Sequence, residues 1–141
     1  MKKNVFILFV LALIALCATS CFGPIGGEPT FHEADLLGLW LEEGTEAFIR
    51  FTSEQDDSRE YKYGREWDEA DGVFESDLQS YGNGWFKYKL VQSDLTEIHL
   101  MDNGGADIPK VYTVLELTDD VLRYQDEFKR SHKLNKVVSV D

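Results

Sequence analysis

From Leu37 onward, apolar and polar residues alternate in short blocks, and turn-forming residues separate the blocks. Eight such runs can be delimited, at 37–43, 46–53, 59–69, 85–92, 95–101, 110–118, 121–127 and 131–138. Aromatic and β-branched residues recur in them, as expected of strands with one buried face. In the third run, Tyr61, Tyr63, Arg65 and Trp67 share one face, opposite Glu60, Lys62, Gly64, Glu66 and Asp68. In the fourth, Phe86, Tyr88 and Leu90 oppose Lys87 and Lys89; in the sixth, Val111, Thr113, Leu115 and Leu117 oppose Tyr112, Val114 and Glu116. The links contain Glu43-Gly44, Gln55-Asp56-Asp57, Gly82-Asn83-Gly84, Asn103-Gly104-Gly105 and Thr118-Asp119-Asp120, residues suited to tight turns.

No apolar run of helical period and length competes after residue 40. A short helical turn is expected at 32–37, just before the first strand. Eight antiparallel strands with mostly short links predict an all-β, up-and-down barrel, because closure removes exposed strand edges. A sandwich is the second expectation. A barrel of this size is either filled by side chains or holds one small ligand.

The amino terminus has a different pattern. Met1-Lys2-Lys3-Asn4 is followed by an uncharged apolar run from Val5 to Ala18, then Ala18-Thr19-Ser20-Cys21. This resembles a bacterial lipoprotein leader. It implies cleavage before Cys21, lipid such as palmitate on that cysteine, and a signal peptide at 1–20. Cys17 fits the pattern less well, because the bulky Leu16 precedes it. A retained membrane helix is the competing reading, but the run is short for a bilayer core of about 30 Å, which takes roughly 20 residues. Residues 21–34 hold Phe-Gly-Pro-Ile-Gly-Gly-Glu-Pro-Thr, a flexible lipidated tether. The domain proper is expected at 35–141.

Loss of Lys2 and Lys3 takes the net charge from -12 to about −14. So acidic a chain is a poor partner for nucleic acid or anionic headgroups, and membrane contact is expected through the lipid alone. Phe22 follows the cysteine where an inner-membrane retention aspartate commonly stands, which favours the outer membrane of the cell envelope. Cys17 leaves with the leader and Cys21 carries lipid, so no thiol remains for a disulfide, a metal cluster or a nucleophile. The fold must then rest on its hydrophobic core, for which about 120 residues suffice.

At the start of the first strand, Gly38-Leu39-Trp40 follows the possible helical turn. This resembles the lipocalin (calycin) signature of small Gram-negative lipoproteins. The resemblance implies an eight-stranded barrel whose base is plugged by Trp40, with a basic residue of the last strand, Lys136 or Lys133, across the indole. Gly38, Trp40 and Lys136 are thus the expected base residues.

Catalytic patterns are missing from the sequence. His32, His99 and His132 are scattered, and no Gly-x-Ser-x-Gly, P-loop or dinucleotide fingerprint occurs. The acidic segments 68–77 and 102–107 lack the Asp-x-Asp-x-Asp-Gly spacing of a calcium loop and read as solvated loops. No enzyme activity, cofactor or metal is expected. The candidate ligand-binding set is aromatic: Tyr61, Tyr63, Trp67, Trp85, Phe86 and Tyr88, joined by Tyr81 from the loop, with Arg65 as the polar member. These side chains either hold a small apolar or amphipathic ligand or fill the barrel; Arg65 would meet an anionic ligand group or a neighbouring carboxylate. The expected function is a non-catalytic, lipid-anchored binding protein, monomeric, contacting the membrane through its lipid. The alternative is an envelope module that contacts a protein or glycan through exposed Trp67 and Trp85.

Overall fold

The computed structural model describes residues 29–80, 82–101 and 105–138. The leader, Cys21, most of the tether, Tyr81 and the turn residues Asp102 to Gly104 lie outside the described residues. A 3₁₀ turn, Glu33–Leu36, precedes eight strands: β1 (Gly38–Glu42), β2 (Ala47–Gln55), β3 (Lys62–Asp68), β4 (Trp85–Val91), β5 (Asp94–His99), β6 (Lys110–Leu117), β7 (Val121–Gln125) and β8 (Ser131–Lys136). Each strand pairs antiparallel with the next, and β1 pairs with β8, so the sheet is a closed eight-stranded up-and-down barrel. All eight expected runs carry one strand each.

Antiparallel pairing keeps facing residues on one side of the sheet. Trp40 pairs with Ile49, Phe51 with Gly64, Gly64 with Phe86, and Tyr88 with Glu97. These residues point inward, as do Leu122, Tyr124, His132 and Leu134 of β7 and β8. The lower interior is solid. Trp40, Phe51, Phe86, Tyr88, Leu95, Val114, Leu122 and Leu134 are buried and form one cluster with Leu36. Phe51 meets Phe86 and Tyr88 edge to face, with centroids 5.9 and 4.9 Å apart. Such pairs contribute about 0.5–1.5 kcal/mol beyond area burial.

The 3₁₀ turn closes the base. The Trp40 indole N–H donates to the Leu36 carbonyl at 2.8 Å, and Lys136 Nζ sits 5.0 Å from the ring centroid. Gly38 lies beneath the same lysine with φ +126, and a Cβ there would stand 2.9 Å from Lys136 Cε. The Glu33 carboxylate accepts from the Leu90 amide at 3.0 Å and pairs with Lys62 Nζ at 2.7 Å. Phe31 N–H donates to Gln92 O in the β4–β5 turn, so the described chain enters at this closed end.

Two expectations of facing are corrected. The face of β3 bearing Tyr63, Arg65 and Trp67 points outward, and its polar face, with Gly64 and Glu66, points into the barrel. In β6 the alternation breaks at a bulge between Val114 and Glu116. Tyr112, Val114 and Leu117 therefore pack against the core, while Val111 and Leu115 are exposed. A bulge adds one unpaired residue and flips the parity that simple alternation assumes.

Gly64 shows why the inward face of β3 is poor in side chains. A Cβ there would come within 2.2 Å of Phe86 Cζ and 2.9 Å of Arg50 O. Replacing Gly64 with alanine should therefore cost about 3 kcal/mol in urea unfolding. Adding Phe86→Leu should recover part of the loss, and strictly additive losses would show that the two positions do not compete for space.

Candidate functional site

Above the packed base, the inward residues become polar. Glu42, Glu66, Glu97, His99, Lys110, Tyr112, Tyr124 and His132 occupy inward positions near the strand ends opposite the base. The segments after β1, β3, β5 and β7 surround this mouth. One cavity of about 340 Å³ is lined by Glu42, Ala47, Ile49, Glu66, Asp68, Tyr124 and Leu134, among others. A second hollow of about 550 Å³, lined in part by Glu66, His99, Lys110 and Tyr112, opens beside it. Both fall in the size range of small-molecule sites, about 300–1,000 Å³.

Glu97 lies beneath the mouth and is 4% exposed. Burial pushes its carboxyl well above the ordinary value, the neighbouring Glu66 adds to the rise, and Lys110 opposes it. Glu66 faces the water of the cup but is enclosed by the wall, and burial raises its carboxyl too, against the pull of His99 and Lys110. The phenols of Tyr112 and Tyr124 are raised, first by burial and then by Glu97 and other nearby carboxylates. His132 bridges Glu42 and Asp126, with Nε2 3.0 Å from Asp126 Oδ2. Burial would lower this imidazole, but its hydrogen bonds to Asp126 and Glu42 outweigh burial and raise it.

The structure divides the aromatic set predicted from sequence. Phe86 and Tyr88 are fully buried in the base, where Tyr88 OH donates to Thr52 O at 2.7 Å. They fill the barrel and line neither mouth cavity. Tyr63, Arg65 and Trp85 lie on the outer wall; Trp67, on the same face of β3, is also among the residues that line the cavity of about 340 Å³. Lys89, also outward, places its ammonium 4.9 Å from the Tyr61 ring. Trp67 stacks on Phe48 at 5.6 Å, and the Arg65 guanidinium lies 4.6 Å over Trp85. Arg65 faces Glu75 at 3.9 Å, while Arg50 Nε donates to both Glu75 oxygens at 3.0 and 2.8 Å. The segment between β3 and β4 is thereby pinned over the outer wall. Arg65 meets a neighbouring carboxylate there, away from the cup. Trp67 is 8% exposed, so it offers no open aromatic patch. Its indole N–H, that of Trp85 and Arg65 Nε are buried without an acceptor, so packing holds this face together.

The acidic segment 68–77 uses its carboxylates locally. Asp68 accepts from the Ala70 amide at 2.9 Å, Asp77 from the Phe74 amide at 2.8 Å, and Glu75 takes Arg50. The residues that form the mouth were not singled out from sequence, although one signal was available. Glu97 and His99 stand two apart on a strand and must share a face, as must Trp40 and Glu42.

Comparison with protein-family models, curated proteins and solved structures gives no significant match. The functional reading therefore rests on this geometry.

The raised groups fix the sign of a pH effect. A carboxyl raised on folding, such as Glu97, contributes stability fully present below its unfolded value and lost as pH rises through its folded value; the raised His132 behaves likewise around its own range. Stability should therefore fall as pH rises above the ordinary glutamate and histidine values, about 4.3 and 6.5. Glu97→Gln and His132→Asn should each flatten part of that fall in urea titrations at several pH values. A wild-type curve that rises across this range would contradict the assignment.

Proposed function

We propose that this chain is a non-catalytic, lipid-anchored binding protein of lipocalin-like type, which holds a small amphipathic ligand by a cationic end. The observation that carries this reading is the cavity of about 340 Å³, in which Glu42, Glu66 and Asp68 stand beside Ile49, Leu134 and Tyr124. Ligand sites are mostly apolar with a few placed polar groups, and here those groups are acids. An amine or guanidinium end suits them, whereas an anionic headgroup would meet like charge. The apolar walls take a short hydrocarbon or ring, and the packed base bars a long chain.

The lipocalin reading draws support from the buried Trp40 and the cation laid across it by β8. The anchor reading draws on Cys21 and the apolar leader. The described chain enters at the base, away from the mouth, which suits an anchor on its amino-terminal side. That polarity leaves the cup open to the surrounding compartment. A second reading, contact with an envelope partner, rests on Phe74, Ile108 and Phe128, which are exposed on segments around the mouth.

Calorimetric titration with octylamine and with octanoate tests the ligand class. Octylamine should bind, octanoate should not, and Asp68→Asn with Glu66→Gln should weaken octylamine at least tenfold, about 1.4 kcal/mol. Equal or tighter binding of octanoate would overturn the cationic reading. Mass spectrometry of protein from its own membranes should find Cys21 acylated at the amino terminus; a retained leader with a free thiol would remove the anchor.

A further inference from the structure

Three donors that can bind metal meet in the mouth, from two strands that are not neighbours. Glu66 comes from β3, and Glu97 and His99 come from β5. Between them β4 begins only at Trp85, so Glu66 and His99 reach each other over its start. His99 Nδ1 is 3.4 Å from Glu66 Oε1, and His99 Nε2 is 3.9 Å from Glu97 Oε2. One donor atom from each residue lies within 4.8 Å of the other two. The Phe86 ring packs against the imidazole at 5.8 Å between centroids and limits its movement.

Glu97 is the second, independent observation. Its side chain is 6% exposed, and its ion-pair neighbour is His99 Nε2, 3.9 Å away. Buried carboxylates are normally matched by donors or by a cation. What stands against Glu97 is an imidazole too distant for a hydrogen bond, with a second carboxylate nearby.

We propose that Glu66, Glu97 and His99 form a binding site for a first-row transition-metal dication of the zinc type. One imidazole nitrogen with two carboxylates suits such an ion, whereas calcium and magnesium favour oxygen donors throughout. Tetrahedral donors about 2.1 Å from zinc stand roughly 3.4 Å apart. His99 Nδ1 and Glu66 Oε1, 3.4 Å apart, already stand at that spacing, and the 3.9 Å gap from His99 Nε2 to Glu97 Oε2 is only slightly wider. Three protein ligands leave a position open toward the cup. Lys110 lines the same hollow, and its charge opposes the ion.

Glu66 is shared with the cationic-ligand reading, but the probe here is inorganic zinc and the variants spare both Glu66 and Asp68, so the two can fail separately. Untagged, metal-stripped protein is titrated calorimetrically with zinc chloride, with magnesium and calcium chlorides as comparisons. One zinc ion should bind at least tenfold more tightly than magnesium or calcium. Glu97→Gln and His99→Asn should each weaken zinc at least tenfold, Lys110→Met should tighten it, and Asp77→Asn should leave it unchanged. Should either weakened variant fail to fold, the His99 ring nitrogen shifts of the wild type provide the readout, and they should move on zinc addition. Failure of the wild type to bind zinc at millimolar concentration would overturn the site. So would unaltered affinity in Glu97→Gln or His99→Asn, calcium binding equal to zinc, or His99 shifts that stay in place.

Discussion

The barrel depends on what happens around Trp40. This residue lies on β1 at the seam where the last strand returns, paired with Lys136 of β8. Its indole is fully buried, donates to the Leu36 carbonyl and lies under the Lys136 ammonium. One side chain thus joins the 3₁₀ turn, the first strand and the last. Closing eight strands brings together residues about a hundred positions apart, a large loss of chain entropy. A large aromatic side chain with its one polar atom satisfied is well suited to offset that cost at the seam.

The solid base makes the polar mouth possible. Phe51, Phe86, Tyr88, Leu95, Leu122 and Leu134 bury enough apolar surface to hold the walls in place. Above them, Glu66, Glu97 and His99 are kept close together although two of the three are acids. Buried like charges raise their own protonation and are costly to hold together. Barrel closure fixes them in position, and the outcome is a cup whose chemistry differs from that of its foundation. Solid-barrel and hollow-barrel expectations each describe one half of the molecule.

The outer wall follows another logic. Trp67, Trp85, Arg65 and Phe48 form an apolar and cationic face, which the segment between β3 and β4 covers through Glu75. Of the aromatic residues that looked like a binding surface, Trp67 stacks on Phe48 and Trp85 lies under Arg65. The acids of that segment are accordingly engaged in turns and in the Arg50 pair.

Alternation and turn chemistry made much of the fold legible. Eight runs separated by glycine, asparagine and aspartate marked eight strands, and Gly38-Leu39-Trp40 marked where the barrel begins. A strand's two faces are set by a period of two, which a sequence displays directly. Which face turns inward is decided by pairing with other strands. On β3 the aromatic face seemed the natural interior, yet Gly64 is needed beneath Phe86 and the polar face turned in. On β6 a single bulge exchanged the faces midway. The cup was hidden for the same reason: Glu66, the Glu97–His99 pair and Lys110 come from three different strands and meet only through the register of a closed sheet. Local pattern therefore determined the strands and their number, whereas long-range closure decided what lies inside them.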